Sequence, residues 1–236
     1  MRRPSDCVVV IPCLNEGAGI ISLVRAVQRV IADVIVVDDG SRDGTGELAA
    51  QAGAEVIRWE QTQGKGAALK KGWQRASERG FAWVLTMDGD GQHAPEDIPA
   101  FLSAAAVGKA ELVVGNRLAN PGQMPWLRLR VNQWMSRRLS RAAGIPLPDS
   151  QCGFRLMKLS AWSTLTLKAD HFEIESETLL AFIAHGYAVQ FIPVRTIYAG
   201  ERSKIDPVRD TWRWFRWWRR ARENVPKGMS TTDGHG

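Results

Sequence analysis

Short apolar runs alternate with longer amphipathic stretches through the first half of the chain. Val8 to Ile11 is an unbroken apolar run, the mark of a strand buried on both faces. Ile20, Leu23, Val24, Val27 and Ile31 then recur at helical spacing. Val34 to Val37 is a second buried strand, and it stops at Asp38-Asp39-Gly40. Beyond it the pattern predicts a short helix over Glu47 to Gly53, a third strand at Val56-Ile57, a helix over Ala67 to Arg79 and a fourth strand over Ala82 to Met87. Pro95 opens a helix at its first turn, where proline costs least, and Leu112 to Val114 is a fifth strand. Strands and helices alternating at these intervals predict βαβ units, a mostly parallel sheet and the α/β class.

After about residue 120 the pattern loosens. Trp126 to Ala143 reads as an arginine-rich helix, Asp149 to Arg155 as a loop running into a strand, Glu173 to His185 as a helix and Ala188 to Pro193 as a strand. Residues 226–236 read as a disordered tail. There is no internal repeat and no low-complexity linker.

In open α/β sheets ligands bind outside the carboxyl ends of the strands. Four polar clusters fall there: Pro12 with Asn15-Glu16, Asp38-Asp39, Asp88-Gly89-Asp90, and Asn116-Arg117. Asp88 and Asp90, one residue apart on a glycine-bearing turn, could converge on Mg²⁺ or Mn²⁺ together with a substrate's phosphates. The alternative is an ordinary acidic turn. Asp38 or Asp39 could accept from a nucleoside base or ribose, or the segment could serve only as a helix cap through Ser41 or Asp43. Gly64-Lys65-Gly66 has the flexibility of a phosphate loop but not the spacing of a P-loop, and no GxGxxG follows the first strand. Both features argue against a P-loop ATPase and a dinucleotide dehydrogenase.

Composition narrows the class further. With 236 residues, 44% hydrophobic and 24% charged, the chain can bury a substantial core. No apolar run approaches the roughly 20 residues of a membrane-spanning helix, and the N-terminal run is too short for a signal peptide. A cytoplasmic protein is expected. Cys7, Cys13 and Cys152 have no metal-site spacing and suit buried, reduced thiols. The net charge of +6 lies entirely between Arg202 and Arg222, with eight basic and two acidic residues, on a neutral body. Such a patch points to an anionic membrane surface ahead of nucleic acid, and no nucleic-acid partner is expected.

Six motifs occur in order: Pro12-Cys13-Leu14-Asn15-Glu16, Asp38-Asp39-Gly40-Ser41, Gly64-Lys65-Gly66, Asp88-Gly89-Asp90-Gly91-Gln92-His93, Gly115-Asn116-Arg117 and Asp149-Ser150-Gln151-Cys152-Gly153-Phe154-Arg155. Together they resemble the family 2 glycosyltransferases of GT-A fold, in particular the dolichyl- or polyprenyl-phosphate mannosyl- and glucosyltransferase branch. The resemblance covers about residues 6 to 205. It implies a three-layer α/β/α sandwich around a mostly parallel, mixed sheet. It divides the chain into a catalytic domain (1–205), a C-terminal helix (206–225) and the tail.

The resemblance also implies roles. Pro12, Leu14, Glu16 and Asp39 would line the nucleoside pocket. Asp88, Gly89 and Asp90 would face the diphosphate, with Asp90 and Gln92 as metal ligands. Arg117 and Arg128 would meet the sugar phosphate and an acceptor phosphate. Beside these, Asp38 and Lys65 are expected at the nucleotide sugar, Asp88 at the metal and Arg155 at the acceptor. Ser203 and Lys204 would close over the diphosphate. One position departs from the mannosyl-phosphate-lipid pattern: Glu173 stands where a lysine can occur near the acceptor phosphate. Glu173 and Glu177 lie i,i+4 and could reach one site, binding a sugar hydroxyl or acting as general base, or they could form a solvated helix face.

Laid on a helix, Trp214, Phe215, Trp217 and Trp218 share one arc, and Arg213, Arg216, Arg219 and Arg220 the other. That is the composition of a helix lying on an anionic membrane, with docking on the body as the alternative. The expectation is an inverting, metal-using transferase moving a hexose from a UDP- or GDP-sugar to a lipid-linked acceptor, polyprenyl phosphate, at the inner face of the cytoplasmic membrane. A hydroxyl acceptor on a glycolipid, polyketide-like lipid or polysaccharide is the nearer alternative. A sugar-phosphate nucleotidyltransferase is the alternative of another class, although Pro12 to Gly19 lacks the Arg or Lys of a triphosphate loop.

Overall fold

The computed structural model describes residues 6–108, 110–197 and 207–221. Ser203, Lys204 and the tail over 226–236 lie outside the described residues. Among those described, one sheet contains seven strands: β1 (Cys7–Cys13), β2 (Val34–Asp38), β3 (Glu55–Arg58), β4 (Trp83–Thr86), β5 (Leu112–Asn116), β6 (Arg155–Lys158) and β7 (Val189–Pro193). Their order is β3-β2-β1-β4-β6-β5-β7. Helices α1 (Ile20–Gln28), α2 (Thr45–Gln51), α3 (Lys65–Glu78), α4 (Ile98–Val107), α5 (Trp126–Ala143), α6 (Leu159–Trp162), α7 (Ile174–Ala184) and α8 (Pro207–Ala221) complete the layers.

β1, β2 and β4 are buried along their whole length, as continuous apolar strands must be when helices cover both faces of a sheet. The edge strands β3 and β7 are only half-buried. The sheet is mixed because β6 runs antiparallel to both of its neighbours, pairing Arg155 with Thr86 on one side and with Val114 on the other. β6 therefore starts at the edge where β4 and β5 end. The Asp149–Phe154 loop enters the sheet beside the polar clusters of the parallel strands.

The main boundary surprise lies at α3. The apolar pattern predicts a start at Ala67, whereas the helix begins at Lys65, with Gly64 before it at a φ of 104°. Both glycines allow close contact: a Cβ on Gly64 would stand 2.4 Å from the Asp170 carbonyl, and one on Gly66 2.7 Å from that of Ala169. The Gly66 and Ala67 amides donate to the Asp170 carbonyl at 2.8 and 3.2 Å. These helix-start amides are thus already engaged by the chain, and Gly64-Lys65-Gly66 is a helix start sealed by the segment before α7.

α3 also presses hard on the sheet. A Cβ on Gly72 would lie 2.4 Å from Val10 Cγ1 and 3.2 Å from Val37 Cγ2. Gly72→Ala should therefore lower the unfolding free energy by roughly 1–3 kcal/mol despite alanine's better helix propensity. Chemical denaturation of the two proteins checks this, and equal midpoints would refute the contact.

Candidate active site

The site is assembled from loops that hold one another. Asn15 takes a positive φ of 54° at the end of β1. Its amide donates to Ser41 Oγ (2.9 Å), and its Oδ1 accepts from the Arg42 amide (2.9 Å). The Glu16 and Gly17 amides donate to Thr45 Oγ1 and Asp43 Oδ2, each at 2.8 Å. The β1 and β2 exits are in this way latched together.

The two aspartates at the end of β2 part company. Asp38 is fully buried, accepts from the Ser41 amide at 2.9 Å and lies 3.6 Å from Arg58 Nε, so it braces its own turn. This corrects the expectation that it serves the nucleoside pocket. Asp39 spans toward α3, accepting from the Gln63 amide (2.6 Å) and the Gly64 amide (2.9 Å). Burial raises its pKa, with those two amides working in the opposite direction.

Glycines bring Asp88-Gly89-Asp90 close to its neighbours. A Cβ on Gly89 would sit 2.7 Å from Cys13 Sγ, and one on Gly153 2.8 Å from the Asp88 carboxylate. The turn folds back on itself: the Asp88 amide donates to His93 Nδ1 (3.2 Å), and the Gln92 amide donates to Asp90 Oδ1 (3.0 Å). His93 is buried, stacks on Phe154 at 5.0 Å and has its pKa lowered by that burial. Arg128 Nη1 donates to Gln92 Oε1 at 3.2 Å, so α5 reaches this turn.

At the centre is Lys65. Its Nζ lies 2.7 Å from Asp88 Oδ1 and 2.7 Å from Glu175 Oε1. Burial disfavours its charge, but the two carboxylates outweigh that and raise its pKa. Burial likewise works against the Asp88 carboxylate, and Lys65 holds it well below the usual carboxylate range all the same. Glu175 was not anticipated. The signal was present: Glu175, Leu179 and Phe182 form an i, i+4, i+7 stripe facing the core, and a carboxylate on such a stripe requires a buried cation.

Three expected cations or acids have other work. Arg117 is buried in a forked pair, Nε to Asp149 Oδ2 at 2.9 Å and Nη2 to Asp149 Oδ1 at 3.0 Å, with its own amide on Oδ2 as well. Arg155 spends all three guanidinium nitrogens on carbonyls, those of Cys152 (2.7 Å), Glu175 (2.6 Å) and Ser150 (2.9 Å). It is a brace for the loop before β6 and for α7, which corrects the expected acceptor contact. Glu177 Oε2 accepts from the Lys168 and Ala169 amides at 2.9 and 2.7 Å. Glu173 and Glu177 consequently do not converge, because the loop before α7 claims the second. Glu173 Oε2 is buried with no hydrogen-bond partner.

The three cysteines are buried thiols outside any disulfide, and burial pushes those of Cys7 and Cys152 up to about 12, as inert structural thiols require. The tryptophan arc of α8 is split. Trp214 and Trp218 are buried, and Trp214 Nε1 donates to Ser176 Oγ at 2.9 Å while its ring lies 5.5 Å from that of Trp134. They dock the helix on the body, which corrects their assignment to a membrane. Trp212 and Phe215 are exposed, as are Arg216, Arg219 and Arg220, while Arg213 and Trp217 are half-buried.

Among the described residues, no group of three or more His, Cys, Asp or Glu side chains is assembled to hold a metal ion. What the turn offers is the oxygen donors Asp90, Gln92 and Asp88. That set suits a hard cation whose remaining positions are filled by phosphate and water.

With this geometry in view, the relatives are informative. The model of "Glycosyl transferase family 2" matches residues 8–165. A UDP-N-acetylglucosamine–dolichyl-phosphate N-acetylglucosaminyltransferase of Methanococcus voltae is 32% identical over 213 residues, covering 80% of this chain and 85% of that protein. An undecaprenyl-phosphate mannosyltransferase of Micrococcus luteus is 32% identical over 207 residues, 84% of this chain and 81% of its own. Among solved structures, a glucosyl-3-phosphoglycerate synthase of Mycobacterium tuberculosis, in complex with Mn²⁺, UDP and phosphoglyceric acid, superposes with a TM-score of 0.73 over 93% of this chain and 79% of that one, at 22% identity. That likeness shows the fold alone.

The Arg117–Asp149 pair has a testable pH signature. Burial would raise the Asp149 pKa, but Arg117 overcomes this and lowers it. The pair's stabilisation is therefore fully present above the unfolded carboxyl value of about 3.9 and is lost as pH falls through the lower folded value. Asp149→Asn strands a buried cation and should cost roughly 3–5 kcal/mol at pH 7. In urea titrations the gap between wild type and variant should shrink only below about pH 4. A pH-independent gap would count against the assignment.

Proposed function

The chain belongs to glycosyl transferase family 2, and from that premise we propose that it moves a hexose from a UDP- or GDP-sugar to a lipid-linked acceptor, polyprenyl phosphate, with inversion. The observation that carries the reading is the Asp88-Gly89-Asp90 turn. It stands at the end of β4, tied to Lys65 and Glu175 on one side and, through Gln92, to Arg128 on the other. The named lipid-phosphate relatives support the acceptor class.

In this reading Pro12, Leu14, Glu16 and Asp39 bound the nucleoside, and Asp90, Gln92 and Asp88 would hold Mg²⁺ or Mn²⁺. A bound ion would supply Lewis-acid charge to the departing diphosphate. Arg128 holds the acceptor phosphate, and Lys65 keeps Asp88 ionised and in place. The acceptor oxygen forms a bond to the anomeric carbon from the face opposite the diphosphate. The bond from that carbon to the diphosphate oxygen breaks, and its electron pair leaves on the nucleotide. A phosphate acceptor arrives as an anion and needs no base. Among the described residues no helix is long and apolar enough to cross a membrane. We place the protein at the inner face of the cytoplasmic membrane, with Trp212, Phe215 and the arginines of α8 toward an anionic surface.

The buried, unpartnered Oε2 of Glu173 favours a second reading, in which Glu173 is general base for a hydroxyl acceptor. Two variants separate the cases. Asp90→Ala should lower turnover by at least about 100-fold and remove metal-dependent binding of UDP or GDP in calorimetry, with an unchanged circular dichroism spectrum. Normal turnover would reject the metal assignment. Glu173→Gln should leave the rate within about twofold for polyprenyl phosphate, whereas a general base would lose roughly 100-fold or more.

A further inference from the structure

α5 carries no acidic residue and five arginines. Its buried residues, Asn132, Met135, Ser136 and Leu139, share one inner face. On the opposite side Trp126 is 74% exposed, Leu127 53% and Trp134 37%, and Arg130, Arg137, Arg138 and Arg141 are exposed with them. Counted at 100° per residue, all seven fall within one arc about Trp134, and the Arg138 guanidinium lies over the Trp134 ring at 4.7 Å. Arg137 and Arg141 also rim a groove of about 800 Å³ whose wall includes Ile145, itself 42% exposed.

This is the pattern expected of the C-terminal helix, found on a different element. α8 spends Trp214 and Trp218 on docking, whereas Trp126 and Leu127 of α5 stay open and Trp134 keeps 37% of its surface exposed. The two helices touch where Trp134 meets Trp214, so their outer faces adjoin.

We infer that the outward face of α5 is the principal surface by which this protein seats on an anionic lipid bilayer. Three features choose the bilayer. Four exposed arginines without a neighbouring acid on the helix complement an anionic surface. Trp126 and Leu127 at one end gain free energy by entering the headgroup boundary, whereas an aliphatic side chain gains little against a nucleic-acid backbone. The first turn of α5 also holds Arg128, which touches Gln92 beside Asp88-Gly89-Asp90. A lipid phosphate at headgroup depth would then already lie at the mouth of the site. The last point rests on the lipid-acceptor reading; the first two do not.

The test uses the full chain and vesicles of phosphatidylglycerol and phosphatidylcholine in equal parts, with pure phosphatidylcholine as control. Wild type should cosediment with the anionic vesicles and not with the control. Trp126→Ser/Leu127→Ser should weaken vesicle affinity at least about tenfold, and Arg137→Gln/Arg141→Gln, at the far end of the helix, about tenfold as well. Trp212→Ser/Phe215→Ser on α8 should lose no more than about threefold. Calorimetry of UDP and GDP with Mn²⁺ should give the same donor affinity in all of them. Unchanged vesicle binding by both α5 variants, or abolition by the α8 variant alone, overturns the inference, as does tighter binding to poly(U) than to vesicles. A wild type that binds vesicles through α5 but no nucleotide would reject the transferase chemistry and leave the seating surface standing.

Discussion

The buried ammonium of Lys65 is the contact on which the site's arrangement depends. A lone cation in that position would carry a desolvation cost far larger than any packing gain. It is tolerable because two carboxylates reach it, Asp88 from the turn after β4 and Glu175 from α7. Three segments distant in sequence are thereby held at one point. The closures around it are of the same kind. Arg117 needs Asp149, Arg155 needs three carbonyls, and the first turn of α3 needs the Asp170 carbonyl. Each is a buried polar group with one acceptable set of partners, so together they define the loop geometry more narrowly than apolar contacts could.

That same property explains what could and could not be read from the amino acids. The parallel strands were legible because continuous burial leaves a continuous apolar run, and Val8 to Ile11 and Val34 to Val37 have no other good reading. The polar clusters followed from the strand ends. The roles within the clusters were less legible, because a carboxylate looks the same whether it faces a ligand, an amide or a cation. Asp38 and Asp39 are adjacent and identical, yet one braces Arg58 and the other clamps Gln63 and Gly64. Arg155 belonged to a recognisable motif, but only its three carbonyl partners reveal it as a brace. Glu175 is marked by its place on the apolar stripe of α7, a fainter signal than the i,i+4 spacing of Glu173 and Glu177.

The helices at the surface raise a different problem. Amphipathicity shows that a helix has an apolar side without saying what covers it. α8 and α5 are both rich in arginine and tryptophan, and in α8 Trp214 turns inward to meet Ser176 and Trp134, with Trp218 buried beside it. In α5 the inward positions are filled by smaller or more flexible side chains, which leaves its tryptophans outside.

The antiparallel course of β6 carries a consequence for how such a protein can change over time. Apart from Ser203 and Lys204, which lie outside the described residues, the residues assigned to the donor precede residue 94, and Arg128 on the acceptor side comes after residue 116, which in one dimension resembles two exchangeable cassettes. In space β6 is stitched between β4 and β5, with Arg155 paired to Thr86 and Val114 at once. The later half of the chain supplies a middle strand for the earlier half. Transplanting it from a relative would replace part of the central core along with the acceptor surface. Acceptor preference in this architecture should therefore drift by substitutions on α5 and α7, position by position, more readily than by recombination of whole segments.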